Sequence, residues 1–263
     1  MNDSDVNHWL DDRCAEAFWD QCQAVPYKEL LRDTAALLDP RPGETWLDLG
    51  CGSGLLTREL WRASAGRVGK VVAMDCAAAN AGAIDRLRAR LDPAPRPVQV
   101  EFRCANFSDG LGAFETASVD GIVSGLAISY AEHRDPATGR YTDLAYNQLL
   151  AEMARVLKPG GRLVVSVNVP QPDFWRIVWR SLRRSWKLSK PGRILRNTWR
   201  MQRYGRWLKR EAQRGRFHFL PLPELLSRLR AAGFGDGRHQ LSYADQAYLV
   251  RAEKPVAVAA RVA

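Results

Sequence analysis

The stretch Asp48-Leu49-Gly50-Cys51-Gly52-Ser53-Gly54 constrains this chain more than any other. It lies between ETWLDLG, which reads as a buried strand, and Leu55 to Ala63, which reads as a helix. Glycines at alternate positions let the backbone turn sharply and pass close to a ligand, with the amino end of the helix behind it. A dinucleotide-binding loop has the spacing GxGxxG, and position 55, where the third glycine would then stand, is Leu.

The next signal is Asp75, which closes a second apolar run, KVVAMD, 21 residues after Gly54. A carboxylate at that place can accept hydrogen bonds from both ribose hydroxyls of an adenosine ligand, although an Asp there can also cap the following helix. Downstream, a helix is expected over 78–91, ended by DPAPRP, then a strand in VQVEFRCA and a fourth in VDGIVSGLAI. Leu144, Leu149, Met153, Val156 and Leu157 recur at helical spacing up to the break KPGG, and GRLVVSVNV follows as a fifth strand. A helix over 223–234 and strands near 236–243 and 246–253 close the plan. Residues 8–38 also read as helical. Strands alternating with helices predict an α/β fold: a Rossmann-like, doubly wound, seven-stranded and mostly parallel sheet with a helical basic insertion after strand five. The expected divisions are a helical segment (1–39), a core (40–170), the insertion (171–220), a C-terminal helix with the closing strands (221–254), and a tail (255–263).

DLGCGSG, the Asp at the end of strand two, VDGIVSGLAI and EMARVLKPGGRLVVSV together resemble class I methyltransferases that use S-adenosylmethionine (SAM). More narrowly, they are similar to the type 11 branch that includes ubiquinone and menaquinone C-methyltransferases. The GxGxG spacing itself favours SAM over a dinucleotide. The resemblance implies SAM as cofactor and S-adenosylhomocysteine as product. It implies that Asp48 orients the loop and the methionine ammonium, that Gly50, Cys51, Gly52 and Gly54 form the loop, and that Asp75 holds the ribose. Cys76 would pack near adenine, and Ser124 would lie near the methionine end. Where the family carries an acidic residue for the adenine amino group, this chain has Asn106, whose amide oxygen can still accept; Phe107 would offer its backbone N–H to the ring. Tyr130 and His133, in the loop after strand four, are the candidates for positioning the acceptor or removing its proton. Tyr27 would help to close the site. Transfer of a sulfonium methyl does not require a metal, and the four histidines show no metal-ligand spacing.

The net charge of +10 is concentrated. Residues 173–216 hold 15 Lys and Arg against Asp173 and Glu211, a local +13, while the rest of the chain carries 24 basic and 27 acidic residues. The five cysteines are scattered without a CxxC pair, and the acidic N-terminus lacks a secretory pattern, so a cytoplasmic location is expected. On a helical reading, Trp175, Val178, Trp179, Leu182 and Trp186 share one broad face, with Arg183 and other basic residues around it. Pro191-Gly192 breaks this helix before a second Trp- and Arg-rich segment. Three readings stand: a lid whose tryptophans pack on the protein itself, a face for an anionic membrane at its inner side, or an RNA platform. The acceptor expected first is a hydrophobic small molecule or lipid. RNA is the runner-up, and a non-catalytic binding protein built on the same fold is the third possibility.

Overall fold

The computed structural model describes Trp9 and residues 24–91, 99–185 and 203–256. Helix α1 (Val25–Leu38) has Pro26 in its first turn, where a missing N–H costs nothing, and ends at Asp39 in the left-handed region. The remainder of the helix expected over 8–38 lies outside the described residues, apart from Trp9. Then come β1 (Thr45–Leu49), α2 (Leu55–Ala63), β2 (Lys70–Asp75), α3 (Asn80–Leu91), β3 (Gln99–Cys104) and β4 (Val119–Gly125). A small hairpin, β5 (His133–Arg134) with β6 (Tyr141–Thr142), precedes α4 (Leu144–Val156) and β7 (Leu157–Asn168). The chain continues through α5 (Phe174–Ser185), a helix over 203–213 (α6), α7 (Leu222–Ala231), β8 (Arg238–Ser242) and β9 (Ala247–Glu253).

Seven strands form one sheet in the order β3-β2-β1-β4-β7-β9-β8. All neighbours are parallel except those of β9, which runs antiparallel to both β7 and β8. The two faces of β1 show why the run is apolar throughout. Leu47 and Leu49 enter the core layer shared with α4 and α7, whereas Trp46 enters the layer beneath α2 and α3. Asp48 points to that second side, where it meets Thr57 of α2. The order reverses between β1 and β4, so a crevice opens at their carboxyl ends, the place where ligands bind in open α/β sheets.

Two boundaries differ from the expectation. The strand in VDGIVSGLAI stops at Gly125, because Leu126 adopts a left-handed φ of 56° and Ile128–Tyr130 form a single 3-10 turn. KPGG is not a break before the strand but lies inside β7. Val119 pairs with Leu157 and Gly121 with Arg162, so the four residues bulge out of the ladder, with Gly160 at φ 75°. The β5–β6 hairpin carries no local signal strong enough to be expected from two-residue strands.

Candidate active site

The glycine loop leaves β1 with each glycine answering a different constraint. A Cβ on Gly50 would sit 2.3 Å from Cβ of Ala127, and one on Gly54 would sit 2.6 Å from Ile84 Cδ1. Gly50 thus lets the loop reach the segment after β4, and Gly54 lets α2 start against α3. Around Gly52, at φ 50°, a Cβ would meet nothing within 4 Å. That open side forms a cradle with room for a ligand beside the loop. The loop is held from behind, with the N–H groups of Gly50 and Cys51 both donating to the carbonyl of Met74 at 2.8 and 3.0 Å.

Two carboxylates frame this cradle. Asp75 accepts from the N–H of Gly52 at 2.9 Å and from that of Ala77 at 3.0 Å, one bond to each oxygen. Lone pairs remain on both oxygens for a pair of hydroxyls. Asp48 is fully buried; Oδ2 accepts from the Thr57 hydroxyl at 2.7 Å, and Oδ1 has no partner among the described residues. Burial pushes its carboxyl up to about 7, against the lowering effect of Thr57, and the Asp75 charge raises it further. A buried carboxylate oxygen without a donor is what a cationic ligand group would satisfy.

Cys51 is buried in the loop and burial holds its thiol far above the usual range; Cys76 is pushed up to about 12, again mainly by burial. Asn106 caps the turn Phe107–Asp109, its amide oxygen accepting from Ser108 N–H at 3.0 Å, which leaves one lone pair for an adenine amino group. Phe107 stands 3.5 Å from a Cβ placed on Gly50 and so flanks the loop. The Ser124 hydroxyl does not face the crevice freely, since it donates to the Leu49 carbonyl at 2.7 Å and ties β4 to the end of β1.

Tyr130 and His133 are separated in role. Tyr130 is buried among Trp9, Phe217 and Phe219, at ring distances of 4.6, 4.9 and 6.0 Å. Its hydroxyl accepts from the Asn168 side-chain amide at 3.1 Å, and burial raises its pKa. The hydroxyl therefore stays neutral and can donate, but a phenolate base is disfavoured. His133 lies in the β5–β6 hairpin with Nδ1 2.8 Å from the Thr142 hydroxyl. Tyr27 meets Tyr243 edge-on at 6.3 Å and borders a cluster of Leu30, Ile177, Tyr243 and Ala247. Trp175 and Trp179 are exposed on α5, whereas Ile177 and Val178 are buried, so the tryptophans and Val178 do not share one side. The Arg183 side chain and Trp186 lie outside the described residues.

Three further residues carry little or no signal in the sequence that marks them for this region. Asn168 ends β7 and reaches Tyr130. Tyr243 opens a turn in which Tyr243, Ala244 and Asp245 all take left-handed φ values of 57–63°. His218 is buried, stacked on Tyr146 at 4.6 Å, with a pKa lowered chiefly by burial. Only the alternation Phe217-His218-Phe219 hints at His218 locally; the others depend on partners far along the chain.

Residues 47–165 match the family model described as methyltransferase domain. The chain carries a SAM-dependent methyltransferase domain of the type 11 branch. The open side of Gly52, the Asp48 oxygen without a partner and the lone pairs of Asp75 fit SAM as the cofactor of this methyltransferase domain. The chain is 29% identical over 218 residues to demethylmenaquinone methyltransferase of Symbiobacterium thermophilum, covering 80% of this chain and 76% of that protein. It is 32% identical over 160 residues to an uncharacterized 37.1 kDa transposon protein of Streptomyces fradiae, covering 57% and 39% respectively. It spans only 22–39% of the length of three curated relatives that it matches. A SAM-dependent methyltransferase from Aquifex aeolicus shares the fold at a TM-score of 0.56 and 16% identity, covering 93% of this chain and 98% of that one.

Proposed function

We propose that this protein transfers the methyl group of SAM to a hydrophobic small-molecule or lipid-like acceptor, in the cytoplasm at the inner face of a membrane. The aromatic wall after β4 carries the reading. Tyr130, three residues on from the Ala127 that abuts the glycine loop, packs together with Leu208, Phe217 and Phe219. An apolar acceptor gains from burial against such a wall, and the relative named as a demethylmenaquinone methyltransferase takes a lipophilic quinone by its name.

When bound, SAM supplies an already activated methyl, so the work of the chain is alignment. Asp75 holds the ribose and Asp48 the methionine ammonium, fixing the cofactor at both ends. The neutral Tyr130 hydroxyl, itself accepting from Asn168, donates to a polar atom of the acceptor and orients it. Cys51 and Cys76 are kept as thiols by burial, and this matters because a thiolate beside the cofactor would compete for the methyl group.

RNA is the second reading, supported by the +13 carried on residues 173–216 together with their aromatic rings. A non-catalytic binding protein built on the same fold is the third reading, and it would share the cofactor contacts but not the transfer. The test is to incubate the protein with methyl-labelled SAM and cell extract, and to separate lipid, RNA, protein and small-molecule fractions. Label in the organic phase is expected. Label in RNA overturns the proposal, and no transfer by a protein that binds SAM favours the non-catalytic reading.

A further inference from the structure

Helix α5 presents two unlike sides. Ile177 is buried against Leu30, Tyr243 and Ala247, with Leu126 at the margin, and Leu126 directly follows the end of β4. The inner side of α5 thus roofs the crevice beside the cofactor cradle. On the outer side, Trp175 is 51% and Trp179 62% exposed; four residues apart, they lie one turn above each other. Arg176 and Arg180 flank them with side chains 62% and 53% exposed, near Asp245 at 3.9 Å and Glu29 at 3.1 Å.

An isolated lid would turn its indoles inward, because each buries a large apolar area. Here the smaller Ile177 and Val178 fill the inner contacts and the two largest apolar side chains face water. Asp245 and Glu29, both outside the stretch, offset two of its arginines, and of the +13 carried by the 44 residues from Asp173 to Arg216 an excess of +11 is left. Indoles set among arginines match the boundary of an anionic bilayer, where the ring enters the headgroup layer and guanidinium groups meet phosphate. The helix is too short and too charged to cross, and among the described residues no helix is long and apolar enough to span a membrane.

We propose that the outer side of α5, Trp175 and Trp179 framed by Arg176 and Arg180, docks on an anionic phospholipid surface. The docking places the roof of the crevice at the bilayer, so its purpose rests on the lipophilic-acceptor reading, although the contact itself does not. Full-length protein would be floated with phosphatidylcholine vesicles, with and without phosphatidylglycerol, in the absence of SAM and acceptor. Binding is expected only with phosphatidylglycerol, with tryptophan fluorescence quenched by brominated lipid. Replacing both rings (Trp175→Ala with Trp179→Ala) is expected to weaken binding at least tenfold, with thermal stability and SAM affinity unchanged because both rings are exposed. Arg176→Gln and Arg180→Gln are each expected to weaken it about fivefold. Flotation that survives loss of both tryptophans overturns the docking face, as does failure to bind phosphatidylglycerol vesicles. Binding of polyuridylate that needs the two tryptophans, with vesicles ignored, assigns the face to nucleic acid and overturns the proposal. Because no methyl transfer is measured, label found in RNA with flotation intact would remove the acceptor reading and leave the docking in place.

Discussion

Gly52 and Gly54 differ in what surrounds them within one loop. An alanine at 54 would drive its Cβ into Ile84 and Leu87 and also hold φ 79°, so Gly54→Ala is expected to cost about 2–4 kcal/mol of stability. At 52 the added methyl meets open space at φ 50°, and Gly52→Ala is expected to cost only about 1 kcal/mol while removing most SAM affinity. Thermal melts alongside calorimetric SAM titration would show the two losses falling on different variants. Asp48 links binding to pH. Its carboxyl, raised to about 7 in the folded chain from an ordinary value near 4, keeps its proton between those limits when folded and releases it when unfolded. The fold is therefore most favoured below the lower limit and loses that contribution as pH rises through about 7, about 1.4 kcal/mol for each tenfold difference in proton affinity between the folded and unfolded chain. A cationic ligand needs the charged form. SAM affinity is expected to fall as pH drops below 7, with proton release on binding that disappears in Asp48→Asn. The same variant is expected to melt at a higher temperature than the wild type at pH 8.

At the scale of elements, the insertion is clamped to the core by an ionic group rather than by helix packing alone. Arg216, just past α6, is buried between Glu132 of the loop after β4 and Glu211 of α6, and its guanidinium also lies 5.4 Å from the Tyr141 ring of β6. Three segments of the chain thus meet at one side chain. Burial opposes the charge, and the bonds to Glu132 and the nearby carboxylates outweigh it, so the guanidinium stays protonated. Removing it takes from the largely buried Glu132 its guanidinium partner, while Glu211 keeps its 2.9 Å ion pair with Arg214. Arg216→Ala is expected to destabilise the fold by about 3–5 kcal/mol and to raise hydrogen exchange first in residues 203–219. Exchange rising uniformly over the sheet instead would mean that the clamp belongs to the global fold.

For the whole molecule, the carboxyl ends of β1, β2 and β4 meet at the glycine loop, and a ligand bound there as proposed couples binding to folding. At a SAM concentration 100 times the dissociation constant, the fold gains about 2.7 kcal/mol, roughly 5–10 °C in melting temperature for a chain of this size. Asp75→Ala is expected to abolish that shift in a thermal melt. Much of this architecture is local, and for that reason legible in the chain: left-handed glycines, apolar runs bounded by Pro and Gly, a carboxylate at the end of β2. A fold built from strand–helix units also follows from spacing, because periodicity is a property of neighbours. What depends on distant partners was not legible. Tyr130 meets Asn168 38 positions away, Ser242 bonds Asp33 across 209, and the Asp48 carboxyl is raised by the layers that enclose it. The sequence by itself determined the fold class, the cofactor and the concentration of basic charge. Only the tertiary structure decided that Ile177 turns inward and the two tryptophans of α5 outward, because a helix periodicity defines sides and the packing of α1 and the β8–β9 turn selects which one is covered.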